Sequence, residues 1–264
     1  MQLNTEKMIA RAEDGVGWMI FNNPERRNAM ANEMRLAMIE ILTAYSEDDT
    51  IGAVVMTGAG GKAFVSGADI SEFEERRSSP ELIAEYNEVG RQVNAAFENL
   101  EKPLIAMIQG FCIGGGLAIA LCCDIRIASD DSQFGIPAVK LGLGYEAGAV
   151  KALTDFVGPA YANEILMTGR RFDASEALRM GLVNNVVAVD KLEETVMETA
   201  RSIAANAPLT VRSMKVNVRA SRLDAEQRDD ARCQELVDAC FNSEDYIEGR
   251  RAFMEKRPAQ WKGR

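Results

Sequence analysis

Histidine is absent from the 264-residue sequence. That absence removes Ser-His-Asp and Cys-His catalysis, imidazole general bases and histidine-ligated zinc together. Proton transfer must fall to a carboxylate, tyrosine, lysine, thiol or water. Cysteine is sparse and odd in number: five residues with no metal-ligand spacing exclude a disulfide framework and fit buried thiols in a reducing compartment. The adjacent Cys122-Cys123 pair reads as core, and no metal site is expected. No stretch reaches the ~18 uncharged apolar residues of a membrane span. Met1–Ala10 has neither the basic start nor the apolar middle of a signal peptide, so a cytoplasmic location without a membrane partner is expected. Positive charge is in deficit: 30 Lys and Arg against 40 Asp and Glu give a net charge of −10. This argues against nucleic acid as a partner and leaves room for a local basic pocket. Low-complexity tracts and repeats visible by eye are missing as well.

What is present is 47% hydrophobic residues, enough to core one large domain or one domain with a helical appendage. The chain is organised around Leu104–Ala128 and its triple glycine, Gly114-Gly115-Gly116. Leu104 to Ile108 is an apolar, β-branched run that reads as a buried strand, and Leu117 to Cys123 carries no charge and reads as a buried helix. Glycine between them lets a ligand approach main-chain N–H groups, and a helix start leaves such donors unpaired. The alternative is that the glycines only permit close helix–strand packing.

In chain order, Met8–Arg11 and Gly17–Phe21 flank an Asp14-Gly15 turn and form a hairpin. Asn22-Asn23-Pro24 ends it. An amphipathic helix from Asn32 to Ser46 buries Met34, Met38, Ile41, Leu42 and Tyr45. Ile51–Thr57 is a buried strand, followed by a glycine-rich loop, Gly58 to Ile70, with neither Walker nor dinucleotide spacing. Ser71–Ser79 reads as a mobile connection to a helix over Pro80–Leu100. Further on, helices are expected over Gly148–Val157 and from Pro159 to Thr168, and over Ala174–Met180 capped by Asp173. A strand is expected over Asn185–Val189, then helices over Leu192–Ala205, Pro208–Arg219, Asp224–Phe241 and Ser243–Glu255. The last two show apolar faces suited to subunit packing.

Several motifs now align with a known family. Arg27-Asn28-Ala29-Met30, Ala63 through Ile70, Ile108-Gln109-Gly110 with the triple glycine, and Cys123 through Ala128 resemble the crotonase superfamily, the enoyl-CoA hydratase/isomerase fold. The likeness continues through Phe134-Gly135, Pro137, Leu141-Gly142, Thr168-Gly169 and Gly181-Leu182-Val183 to Glu248-Gly249 and Ala252 through Arg257. It covers essentially the whole chain. Each motif is modest alone; their order is what makes the resemblance specific.

The resemblance implies an α/β protein with a crotonase-like ββα spiral core, residues 1–204, and a C-terminal helical trimerisation region, residues 205–264, assembled as a homotrimer or dimer of trimers. It implies an acyl-CoA thioester as ligand, so coenzyme A belongs to the substrate and no separate cofactor is expected. The thioester oxygen would be held by the backbone N–H groups of Ala68 and Gly115. Arg27 would lie near the CoA phosphates, the main chain at Ala29, Ala68, Asp69 and Ile70 along pantetheine and adenine, and Phe253 and Lys256 would reach CoA in the same or a neighbouring subunit.

Departures from the family pattern bear on the reaction. Hydratases of the family carry two glutamates where this sequence has Ala118 and Ala138, and addition of water needs one group to activate it and another to protonate carbon. Tyr145 and Glu146 follow instead: Tyr145 matches a position held by an active-site tyrosine in methylmalonyl-CoA decarboxylases, Glu146 an acidic position in dienoyl-CoA isomerases. Three readings result. Favoured is an isomerase in which Glu146 shuttles a proton while Ala68 and Gly115 hold the enolate. The alternatives are a malonyl-type decarboxylase using Tyr145 and a non-catalytic acyl-CoA-binding subunit. Structural roles compete for both residues: Tyr145 as a loop hydrogen-bonder and Glu146 as a first-turn helix acid.

Overall fold

The computed structural model describes residues 1–72 and 78–264. Asp14 and Gly15 both take positive φ, 51° and 74°, the twist a two-residue hairpin requires, and join β1 (Met8–Glu13) to β2 (Val16–Phe21) in antiparallel register. β2 is followed across the sheet by parallel β3 (Ala53–Gly58), β5 (Leu104–Ile108), β7 (Ile125–Ser129) and β10 (Asn185–Val187), giving the order β1-β2-β3-β5-β7-β10. β3 and β5 read as near-continuous apolar runs because both faces are covered. Val54, Met56, Leu104, Ala106 and Ile108 face the main core, while Ala53, Val55 and Ile105 face Leu192, Val196 and Ala200.

A second sheet runs beside the first. Within five residues of β3, β5 and β7 the chain forms β4 (Ala63–Val65), β6 (Phe111–Ile113) and β8 (Gln133–Gly135), which lie side by side in parallel, with antiparallel β9 (Arg171–Asp173) at the edge. Each pair then leads into helix: α2 (Pro80–Asn99), α3 (Gly115–Ala120), and a 3-10 turn (Pro137–Leu141) ahead of α4 (Ala147–Thr168). The chain thus winds ββα three times, a repeat that strands of three to six residues do not advertise in sequence. The first helix, α1 (Asn32–Glu47), buries Met34, Met38, Ile41, Leu42 and Tyr45 as its spacing requires.

Several expected elements shift. The helix expected over Leu117–Cys123 starts at Gly115 and stops at Ala120, where i→i+3 bonds from Cys122 and Cys123 tighten the chain before Asp124. α4 spans both helices expected around Pro159, with Gly158 breaking it at φ 74°, ψ 165°. Asp173 caps α5 (Ala174–Arg179) by accepting the Glu176 N–H at 2.8 Å. After α6 (Leu192–Ala204) and α7 (Pro208–Ser221), the helix expected over Asp224–Phe241 divides: Ala225–Gln227 is a 3-10 turn, and α8 (Asp230–Phe241) starts where the Asp229 carboxylate accepts the Arg232 N–H. α9 (Glu244–Glu255) is last. The connection expected over Ser71–Ser79 lies largely outside the described residues.

α7 is pinned to the organising stretch through Lys215, whose ammonium donates to Asp124 at 2.8 Å and to the Lys102 carbonyl at 2.6 Å. Burial pushes the Lys215 pKa down, and Asp124 opposes that shift. Asp124 also accepts the Leu104 N–H at 2.7 Å. Among the described residues no helix is long and apolar enough to cross a membrane.

Candidate active site

Because β4 and β6 are parallel neighbours, with Ala63 opposite Phe111 and Val65 opposite Cys112, the segments that follow them leave the sheet at one edge. After β6 the chain turns at Gly114, whose φ of 55° and ψ of −116° are open only to glycine. Gly116 then presses on β4: a Cβ there would lie 2.1 Å from the Val65 carbonyl oxygen. This contact sets α3 beside the loop after β4, so that a Cβ on Gly115 would stand 3.6 Å from the Ala68 nitrogen. Both readings of the triple glycine therefore apply, close packing at Gly116 and an open approach at Gly115.

Ala68 is held by a parallel bridge to Met30, made by Met30 N–H to Gly67 O (2.8 Å) and Asp69 N–H to Met30 O (2.9 Å). The bridge leaves the Ala68 N–H without a backbone acceptor among the described residues. Gly115, first residue of α3, likewise has no intrahelical acceptor for its N–H. Ala68 and Gly115 are both partly exposed and line one cavity of about 200 Å³, together with Met30, Arg35, Tyr86 and Gly90. Two such N–H groups on residues that line one cavity make this the candidate oxyanion site.

The supporting residue that sequence reasoning left unassigned is Asn28. It is fully buried at φ 55°, a left-handed conformation that asparagine tolerates better than most. Its amide donates to Ala59 O at 3.0 Å and Ala63 O at 2.7 Å, and its carbonyl accepts the Asn23 N–H at 2.9 Å. It thereby locks Arg27–Met30 against β4. Its place after a second left-handed residue, Arg27 at φ 52°, is a signal visible only once the backbone is known.

The remaining candidates are dispersed. Ala29 is partly buried beside this lock, its N–H bonded to Arg26 O. Asp69 accepts from the Ser71 hydroxyl (2.6 Å) and N–H (3.0 Å) and from Arg26 (3.3 Å). The Ser71 hydroxyl chiefly holds its carboxyl below the usual range, against burial, which raises it. Ile70 is 60% exposed. The Arg27 guanidinium lies 5.1 Å from the Phe111 ring centre and lines a separate cavity with Lys62 and Gln133, at the edge where β4 and β8 begin rather than the edge carrying Ala68 and Gly115. Phe253, 82% exposed, lines a third cavity with Phe241, Tyr246 and Trp261, which shares no residue with the Ala68–Gly115 cavity. Lys256 is exposed at the C-cap of α9, φ 54°. Within one chain neither reaches the two donors' cavity.

β8 runs parallel to β6, and Gly114 N–H donates to Gly135 O at 2.8 Å, so the segment carrying Ala138, Tyr145 and Glu146 leaves the same sheet edge as the two donors. Tyr145 is partly buried against the main core, and burial raises its pKa, so the phenol stays protonated through the neutral range. Glu146 occupies the N-cap position of α4 but is exposed, and its side chain makes no capping bond. Neither residue lines the Ala68–Gly115 cavity. Glu146 is thus exposed and not brought to the donors. Cys112 and Cys123 are buried and their thiols are pushed up by burial, which makes them inert core residues. Among the described residues no cluster of three or more His, Cys, Asp or Glu could hold a metal ion.

A family model described as enoyl-CoA hydratase/isomerase matches residues 11–264. The chain is 38% identical to a short-chain-enoyl-CoA hydratase of Clostridium acetobutylicum, with 97% of each chain covered. It is 36% identical to a crotonyl-CoA hydratase of Syntrophomonas wolfei, covering 97% of this chain and 98% of that one. Among solved structures it superposes on an enoyl-CoA hydratase/carnithine racemase from Magnetospirillum magneticum with a TM-score of 0.92 at 34% identity, over 99% of this chain and 97% of the other. Matches this complete extend over the whole ββα winding: the chain belongs to the enoyl-CoA hydratase/isomerase family.

Proposed function

We propose that the chain binds an acyl-CoA thioester with its carbonyl oxygen between the N–H groups of Ala68 and Gly115 and catalyses a reaction that passes through the thioester enolate. The observation that carries this reading is that Ala68 and Gly115 lie side by side and line one cavity. Charge that develops on oxygen gains most from donors already fixed in place, and loss of one such donor costs roughly 3–4 kcal/mol in other enzymes. Arg27, Ala29, Asp69, Ile70, Phe253 and Lys256 are the proposed CoA contacts, the last two from the same or a neighbouring subunit of a homotrimer or dimer of trimers.

Hydration, the activity in the relatives' names, needs an acid and a base, and Ala118 and Ala138 supply neither. Decarboxylation of a malonyl-type thioester needs no base. The bond between the α-carbon and the carboxylate breaks, CO₂ leaves, the electron pair enters the enolate, and charge gathers on the thioester oxygen. A proton from the Tyr145 hydroxyl or from water then quenches the α-carbon, and solvent restores the phenol. Tyr145, protonated and half-buried, leaves the same sheet edge as the two donors without lining their cavity, and it supports this route with water as the alternative proton source. Carbon-to-carbon proton transfer by Glu146 is the second reading: its carboxylate is not engaged in capping α4, although its exposure weighs against it. Turnover of malonyl-type, 2-enoyl- and 3-enoyl-CoA thioesters, with Tyr145→Phe and Glu146→Gln alongside, separates them. CO₂ release that depends on Tyr145 supports the first, and enoyl isomerisation that collapses in Glu146→Gln supports the second. Tight binding without turnover of any thioester makes the chain a binding subunit.

A further inference from the structure

The cavity that holds the two donors has a second end, where one face of α2 forms the wall: Tyr86, Gly90 and Val93 recur there at helical spacing. Gly90 sits in the middle of this 20-residue helix, where glycine costs about 1 kcal/mol relative to alanine. Backbone conformation does not demand it, because Gly90 lies within regular helix and not at positive φ. Nor does packing on main chain. A Cβ on Gly58 or Gly116 would stand 2.2 or 2.1 Å from a carbonyl oxygen, whereas the atom that a Cβ on Gly90 would meet among the described residues is Arg35 Nη2, at 2.8 Å. That nitrogen is the far end of a long side chain, which donates to the Tyr86 carbonyl at 3.2 Å. A side-chain tip can give way where backbone cannot. What the missing side chain keeps open is the cavity itself, to which Met30, Val93 and Ile119 supply apolar surface.

Apolar surface suits the acyl arm of a thioester better than the amides of its pantetheine arm. We propose that Gly90 is a specificity-determining residue: the side chain it lacks sets how long an acyl chain the cavity admits beyond the donors. The assignment rests on the acyl-CoA reading above. One methylene more or less in an apolar pocket is worth about 10- to 200-fold in discrimination, so a single carbon added at position 90 is enough to move the limit.

The test measures dissociation constants by calorimetry for acetyl-, butyryl- and hexanoyl-CoA. These thioesters have neither a double bond nor a second carboxylate, so they bind without turnover by either proposed route. Wild-type affinity is expected to rise with chain length. Gly90→Ala and Gly90→Val are expected to lower the affinity of the longest chain relative to acetyl-CoA by at least about 10-fold, more in Gly90→Val than in Gly90→Ala. Acetyl-CoA, with no chain to place against α2, keeps its wild-type affinity. A melting curve confirms that each variant is folded, and Gly90→Ala carries the test if Gly90→Val does not fold. An unchanged ratio in the folded variants, or equal weakening of all three ligands, overturns the role of Gly90 while leaving the acyl-CoA reading intact. If the wild-type protein binds none of the three, the acyl-CoA reading falls and this inference with it.

Discussion

Gly116→Ala tests how the two donors are positioned. The added Cβ would stand 2.1 Å from the Val65 carbonyl oxygen and 2.8 Å from Val65 Cβ, whereas ordinary C···O contact begins at about 3.3 Å. The first of these atoms is β4 backbone, which cannot swing aside, so α3 must move away from β4 by roughly 1 Å. Gly115 rides on α3 and Ala68 on the loop after β4, so the gap between the donors opens by a similar amount. Misplacement by ~1 Å can cost on the order of 10²-fold in rate, close to the loss of a whole oxyanion donor, about 10²- to 10³-fold. Overpacking should also lower stability by about 1–3 kcal/mol, a fall of several degrees in melting temperature. The assay is kcat on the best thioester, with thermal unfolding beside it. Gly148→Ala is the control: no atom lies within 4 Å of its added Cβ, and it sits in the first turn of α4, so rate and stability should hold. A Gly116→Ala protein with wild-type kcat and melting temperature would refute the claim that the α3–β4 contact fixes the donors.

Tyr145→Phe should lower CO₂ release from a malonyl-type thioester at least tenfold, within the range of lost general-acid assistance, while Glu146→Gln changes it by less than about threefold; the reverse pattern would favour the isomerase. Asn28→Ala removes three hydrogen bonds, one buried and two part-buried, and should cost about 2–4 kcal/mol in urea unfolding, with a drop in kcat through the Met30–Ala68 bridge; unchanged kcat in the folded variant would separate the lock from the site. Burial pushes the Tyr45 phenol up to about 12, while its hydroxyl donates to Trp18 O at 2.8 Å and Arg11 O at 3.0 Å. Because the folded pKa lies above the unfolded value of about 10, this contribution is complete below pH 10 and is lost as pH rises through 12, amounting to about 2–3 kcal/mol. Unfolding free energy measured across that window should fall more steeply for the native protein than for Tyr45→Phe.

Elements whose signals are local were readable in advance. The Asp14-Gly15 hairpin, the buried stripe of α1, the break before Pro159 and the Asp173 cap each depend on residues within one or two turns of chain. β4, β6, β8 and β9 were not readable, because three residues such as Phe111–Ile113 carry no period and become strands only through their neighbours. The glycine run marks where α3 starts, but its stop at Ala120, short of Cys123, depends on the tightened turn before Asp124 that composition does not reveal. At the site, the glycine loops and the family's motif order pointed to Ala68 and Gly115. Asn28 needed partners from three separate segments, and Arg35 is an ordinary charge on an amphipathic helix until Tyr86 and Gly90, more than 50 residues later, fold against it. The sequence reading favours Glu146 over its neighbour Tyr145, whereas the turn into α4 leaves Tyr145 partly buried and Glu146 exposed.

The central claim is that Ala68 and Gly115 polarise a thioester carbonyl, and the most direct measurement is the carbonyl stretch of an acyl-CoA labelled with carbon-13 at the thioester carbon, recorded by difference infrared spectroscopy on the bound protein. Two aligned donors draw electron density toward oxygen, so the band should move to lower frequency than in water and return toward the solution value in Gly116→Ala. A bound ligand whose band stays at its solution frequency in the wild-type protein would contradict the account.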